Sequence, residues 1–332
     1  MEIINIKNFF LFPGQGAQYP GMSLDFLVSG SPGVKKIFDL ASDITGHNME
    51  ALLRDTDAET LKRTDVSQPA LTLANLAAAV YLADQGLAPA GAAGFSLGEY
   101  AALAAAGVIS GEDCFRLVKA RGEAMQAAAE RIAAETAGEA AGMAAVIGLA
   151  PEQAEALIAE WTAGGLGGLY PANINSPRQL VVSGTAPALA EAEARFKDAG
   201  ARRFIRLQVA GPFHSPLIAG AAEQFRPVLE AVPFSDPAIP FYSNVTGKRV
   251  HSGGEAKTLA LRQITEPVRW INEERAIDTA GGIGALLECG PGKVLQGLWK
   301  DSGSAIPCYA AGTVEDVQIL FKSRAAVPKT EV

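Results

Sequence analysis

The stretch Gly94-Phe95-Ser96-Leu97-Gly98 combines residue types at a spacing that could do nucleophilic chemistry. It fits G-x-S-x-G, the nucleophile elbow. The apolar run AGAAGF before it reads as a strand, and GEYAALAAA after it reads as a helix. A strand that reverses into a helix within a residue or two leaves no room for side chains beside the serine. It lifts the Ser96 Oγ clear of the backbone and turns the helix N-terminus, with its free N–H groups, toward the reacting oxygen. The Leu97 N–H is then the natural oxyanion donor. The same five residues would also suit a glycine-rich turn that packs a helix on a strand.

A serine nucleophile needs a base. The chain has 3 histidines. His47 lies in TGHNME and His251 in RVHSGGE, both polar stretches that read as solvent-exposed. His214 lies in AGPFHSPL, directly after a strand that reads as buried, where the active-site loops of α/β folds emerge. It is the better base. Arg121 sits in the apolar-patterned FRLVKARGEAMQ, where an unpaired arginine is costly. Its partner is either a carboxylate on a substrate or an internal acid such as Glu99 or Glu123. A serine hydrolase with a Ser-Asp-His triad would need its acid at the carboxyl end of a strand between Ser96 and His214. The nearest acid before His214, Asp198, precedes its strand and falls at the opposite end.

The elements that must hold these residues follow from the pattern. NFFLF over Asn8–Phe12 reads as a buried strand ending at Pro13-Gly14, followed by the close-approach loop GQGAQ. A helix is expected from Ser67 to Asp84 with Pro69 in its first turn. Another starts at the N-cap Ser110, with Asp113 completing an acidic variant of the capping box. From Gly142 to Val209 the rhythm becomes β-α-β-β-α-β, closing on a strand at RRFIRLQV, which is the ferredoxin-like arrangement. A helix around AAEQFRPVLEAV, the apolar FYSNV and a last strand at ALLECG complete the chain. The expected fold is α/β: a large α/β-hydrolase-like subdomain over 1–140 and 210–332, with a ferredoxin-like small subdomain inserted over 141–209. The tail from about Ser323 is expected to fray.

Composition sets outer limits. With 332 residues and 48% hydrophobic content the chain can bury a full α/β core. Its formal net charge of -8 disfavours nucleic acid and anionic membranes as partners. Any acidic partner must therefore meet a local basic patch. Lys197, Arg202, Arg203 and Arg206 could form one, with Lys293 and Lys300 nearby. Cys114, Cys289 and Cys308 match no zinc motif or disulfide framework and read as reduced thiols. MEIINIKNFFLFPGQG does not read as a signal peptide, and Asn75 and Glu99 interrupt the Ala-rich runs that come nearest to a membrane span. These features point to a cytoplasmic protein.

The ordered motifs FPGQGAQ, GFSLGEY, ARGEAMQ, NINSP, GPFHSPL, FYSNVTG, QITEPVRW and ECGPGKVL together make the chain resemble malonyl-CoA:acyl carrier protein transacylases. The likeness runs from about Phe12 to Lys293. It implies a malonyl carrier that needs no cofactor beyond its substrates, malonyl-CoA and a phosphopantetheinylated acyl carrier protein, in a monomer. It implies Ser96 as nucleophile, His214 as general base, and the backbone N–H groups of Gln15 and Leu97 as the oxyanion hole. Arg121 would grip the malonyl carboxylate and Met125 would line the acyl pocket. Asn173 and Asn175 would lie along the phosphopantetheine arm, and the Gln263 main-chain carbonyl would orient His214. Phe95 departs from the histidine usual in the family and makes the mouth of the site more apolar. Phe213-His214-Ser215 is the pattern that related acyltransferases associate with malonyl rather than methylmalonyl. The rival readings are the malonyl-loading subunit of a malonate decarboxylase and a serine thioesterase or hydrolase.

Overall fold

A computed structural model describes residues 7–136 and 141–325. The first residues of the chain and most of the tail expected to fray lie outside them; Ser323 itself belongs to the helix Val314–Ala325. In chain order the strands are β1 (Asn8–Phe12), β2 (Pro89–Gly94), β3 (Gly142–Ile147), β4 (Leu169–Ser176) and β5 (Gln179–Gly184). They continue with β6 (Arg203–Arg206), β7 (Phe241–Ser243), β8 (Lys248–Val250), β9 (Ala285–Glu288) and β10 (Cys308–Ala310).

The larger sheet has the order β10-β9-β1-β2-β7-β8. It is parallel except for the β7–β8 hairpin at one edge. β1 lies at its centre and is buried along its whole length, as its unbroken NFFLF run requires of a parallel strand covered on both faces. β2 is almost all Ala and Gly because its neighbours press close: a Cβ on Gly91 would meet the Phe9 ring at 2.4 Å. The strand at ALLECG is not the last; β10 pairs beyond it through the short CYA segment, too brief for a periodic signal.

The smaller sheet has the order β4-β5-β3-β6, all antiparallel. The helices Pro151–Ala163 and Ala186–Asp198 cross over between its strands, giving the expected ferredoxin-like topology. Its separate core includes Trp161, Leu189 and Phe196, with the Trp161 and Phe196 rings edge to face at 4.7 Å. The smaller sheet is tied to the segment before the helix Trp270–Ala280, where the Ile174 N–H donates to the Val268 carbonyl (2.7 Å) and the Val268 N–H to the Ala172 carbonyl (2.9 Å).

Three local expectations need correction. The helix expected from Ser67 spans Thr64–Asp84, so Pro69 falls in its second turn rather than its first. That helix is also long and apolar enough to cross a membrane by length and composition, yet 72% of its most apolar window is buried inside the protein. It is a core helix, and its lone polar side chains, such as Asn75, work inside the fold. Finally, β6 is only RFIR, an exposed edge strand, so no buried strand leads directly into His214. Residues 207–213 form the intervening loop, and Leu207, Val209 and Phe213 turn toward the cleft between the sheets.

Candidate active site

Three loops at the carboxyl ends of β1, β2 and β7 converge on Ser96, the end of a parallel sheet where α/β proteins place their sites. The elbow is built from close approaches. A Cβ on Gly98 would lie 2.0 Å from the Phe12 carbonyl oxygen, and one on Gly94 would lie 2.1 Å from the Gly98 carbonyl carbon. Neither position can carry a side chain. The reversal leaves Ser96 at φ 50°, in the left-handed region that L-residues rarely adopt. The helix Gly98–Ala105 begins immediately after it. Among the described residues neither the Leu97 nor the Gln15 N–H is taken by a hydrogen bond. The Gln15 loop is held by Asn75, whose side chain donates to the Pro13 carbonyl (3.0 Å).

The Ser96 Oγ lies 2.8 Å from His214 Nε2. His214 Nδ1 lies 2.8 Å from the main-chain carbonyl oxygen of Gln263. A carbonyl only accepts, so Nδ1 carries the hydrogen and Nε2 offers its lone pair to the serine hydroxyl. Among the described residues no carboxylate hydrogen-bonds to the histidine, and Asp198 is exposed at the end of its helix. Burial, reinforced by the charge of Arg121, lowers the His214 pKa from 6.5 to about 4, which keeps the imidazole a free base at neutral pH. His47 and His251 are exposed and take no part.

Arg121 and Met125 project from one face of the helix Gly111–Glu135, whose N-cap is Ser110. The Asp113 N–H donates to Ser110 Oγ at 3.0 Å, and the Ser110 hydroxyl donates to the Asp113 carboxylate at 2.7 Å. Arg121 is 1% exposed. Its guanidinium lies 5.4 Å from the Tyr100 ring centre, its Nη2 donates to Gln263 Oε1 at 3.1 Å, and its Nε has no partner. Neither internal acid neutralises it through a salt bridge. Glu123 is on the outer face and pairs with Lys119, while Glu99 is buried against the Asn244 N–H (2.7 Å). Burial pushes Glu99 up to about 7, so it offers Arg121 only part of a charge.

Ser96, His214 and Arg121 share a cleft of about 250 Å³ with Gln15, Phe95, Met125, Asn173 and Asn175. Large-sheet loops line one wall; Met143, Ala145 and Val181 of the small sheet line the other. Asn175 presents a buried Oδ1 without a partner, and Met125 accepts a hydrogen bond from Gln68 through its sulfur at 3.4 Å. Phe95 packs edge-on against Trp270 at 5.5 Å, giving the apolar mouth that its sequence suggests. Of the nine residues singled out in the sequence, seven line this cleft, Leu97 follows Ser96 in the elbow, and Gln263 stands behind His214. What sequence reasoning passed over is Asn244, at the carboxyl end of β7. It lies 148 residues from the serine N–H to which its side chain bonds, and no local signal could reveal that. Among the described residues no three His, Cys, Asp or Glu side chains gather into a metal-binding group.

This geometry has many relatives. The acyl transferase domain family matches residues 9–319. The malonyl CoA-acyl carrier protein transacylase of Bacillus subtilis is 37% identical over 95% of this chain and 96% of its own length. That of Escherichia coli is 39% identical over 88% and 91%. Among solved structures, an acyl carrier protein S-malonyltransferase from Vibrio cholerae superposes with a TM-score of 0.85 at 36% identity, covering 95% of this chain and 99% of that one. A malonyl-transacylase solved in complex with a type II PKS acyl-carrier protein gives 0.86 at 35% identity, covering 96% and 99%. The chain belongs to the malonyl CoA-acyl carrier protein transacylase family.

Proposed function

We propose that this chain is an acyl carrier protein S-malonyltransferase that carries malonyl from malonyl-CoA to a carrier phosphopantetheine thiol, as an ester on Ser96, for fatty acid synthesis. The observation that carries the reading is Arg121: a buried guanidinium that forms no salt bridge with a carboxylate among the described residues, in the same cleft as a serine–histidine pair. A planar cation of this kind fits a carboxylate in a bidentate fork.

The steps follow from the contacts. Ser96 Oγ attacks the thioester carbonyl carbon while His214 Nε2 takes its proton. The oxyanion is stabilised by the Gln15 and Leu97 N–H groups, and the Gln263 carbonyl steadies the imidazolium as it forms. The intermediate collapses, the C–S bond breaks, and His214 protonates the departing coenzyme A sulfur. The carrier thiol then enters and the same steps run in reverse. Met125 shapes the acyl pocket, and Asn173 and Asn175 offer amides to the phosphopantetheine arm. The residues of 141–209 act as a wall that closes over this arm, with 1–140 and 210–332 supplying the chemistry.

The chemistry asks for no cofactor beyond the substrates. Every side chain it uses comes from one chain, which suits a monomer, and a cytoplasmic site fits both substrates. The experiment is to incubate the protein with malonyl-CoA and a phosphopantetheinylated carrier and to count products. Malonyl-carrier in large excess over free malonate is expected; free malonate as the main product would make the chain a hydrolase.

A further inference from the structure

The strained serine is gripped from below by a side chain that never faces the substrate. Asn244 follows β7 and is fully buried. Its Oδ1 accepts the Ser96 N–H at 2.7 Å, and its Nδ2 donates to the Gly94 carbonyl at 2.7 Å. One amide therefore spans the reversal, bonding the last residue of β2 and the nucleophile. The amide is itself immobilised: Gln263 Nε2 donates to Oδ1 at 3.2 Å, Nδ2 also donates to Glu273 Oε1 at 2.7 Å, and the Asn244 N–H donates to Glu99 Oε2 at 2.7 Å. Both donors and both acceptor sites of the side chain are filled.

We propose that Asn244, anchored by Glu273, is a positioning residue that sets the Ser96 backbone so that Oγ meets His214 Nε2. Ser96 at φ 50° needs an external hold, because an L-residue has no intrinsic preference for that conformation. Gln263 supplies the complementary one: its Nε2 donates to the Ser96 carbonyl at 2.9 Å while its own carbonyl holds the base. The backbone groups of the nucleophile are thus fixed by side chains on both sides. Only an amide suits position 244. Aspartate would lose the donors to Gly94 and Glu273 and add a charge beside two buried carboxylates. An apolar residue would leave the Ser96 N–H and Gly94 carbonyl buried without partners.

This inference rests on the reading of Ser96 as the acylated residue, so the experiment first records malonyl-Ser96 on the wild-type chain. Its absence there would sink the functional reading itself. With the adduct established, single-turnover acylation by malonyl-CoA is compared in Asn244→Ala, Asn244→Asp, Glu273→Leu and Glu273→Gln. A misplaced nucleophile costs about 10²-fold. Both Asn244 variants should lose about that factor in the acylation rate constant. The KM for malonyl-CoA should stay within about three-fold and the acid limb should be unmoved, since the pocket and base are intact. Glu273→Leu should slow acylation, and Glu273→Gln, whose Oε1 can still accept, should recover most of the loss. Folded Asn244→Ala that acylates within about two-fold of wild type would overturn the proposal, and so would failure of both Asn244 variants to fold, which would assign Asn244 to the fold alone.

Discussion

An imidazole as deeply buried as His214, with its Nδ1 hydrogen held by a carbonyl, stays neutral well below the pH at which a free histidine takes up a proton. The sign follows directly. The base must be unprotonated, so activity is lost as pH falls through the folded pKa of about 4 and is level above it, with no inflection near 6.5. The pH profile of kcat/KM for malonyl-CoA checks this, and a limb centred on 6.5 would mean that the histidine is solvated. Arg121 contributes to the depression, so Arg121→Ala should move the limb upward. The same variant tests specificity. Removing one partner of a buried charge pair costs about 2–5 kcal/mol, roughly 30- to several-thousand-fold, and malonyl transfer should fall by that much. Acetyl transfer has no carboxylate to lose and should hold or rise. Comparable losses for both acyl groups, in a protein confirmed to be folded, would assign Arg121 to structure.

At the scale of elements, the sequence revealed what depends on neighbours in the chain. The two glycines around Ser96 announce the elbow because their close contacts, with Phe12 and within the turn, admit no side chain. The Ser110 cap and the apolar face of its helix announce where Arg121 must point. What remained hidden depends on distant contacts. Asn244 reads as one polar residue in FYSNV, and only the fold brings it to Ser96. The strand before His214 reads as buried in the sequence, whereas it is an exposed edge. His214 nonetheless reaches Ser96, because the loop after β6 turns back into the cleft, and the other two histidines are on the surface.

Across the whole molecule, the cleft exists because two sheets with separate cores meet over it. The ferredoxin-like rhythm of the second was legible because β3 and β5 are short continuous apolar runs and the helices Pro151–Ala163 and Ala186–Asp198 between the strands each bury one face. β10 was not, being only three residues long. The negative charge overall leaves docking of an acidic carrier to local patches. Arg202, Arg203 and Arg206 are exposed on and beside β6, whereas Lys197 is paired with Glu193 and Lys293 with Asp316. Charge reversal at Arg203 and Arg206 should therefore raise the KM for the carrier and leave the coenzyme A half-reaction unaltered. No change in either would remove the patch from the docking surface.

The covalent step is the centre of the account, and mass spectrometry of the protein after exposure to malonyl-CoA alone tests it most directly. The account predicts one malonyl group per chain, mapped to the peptide containing Ser96 and absent from a folded Ser96→Ala variant. A malonyl group that persists in that variant, or maps to another residue, would contradict it.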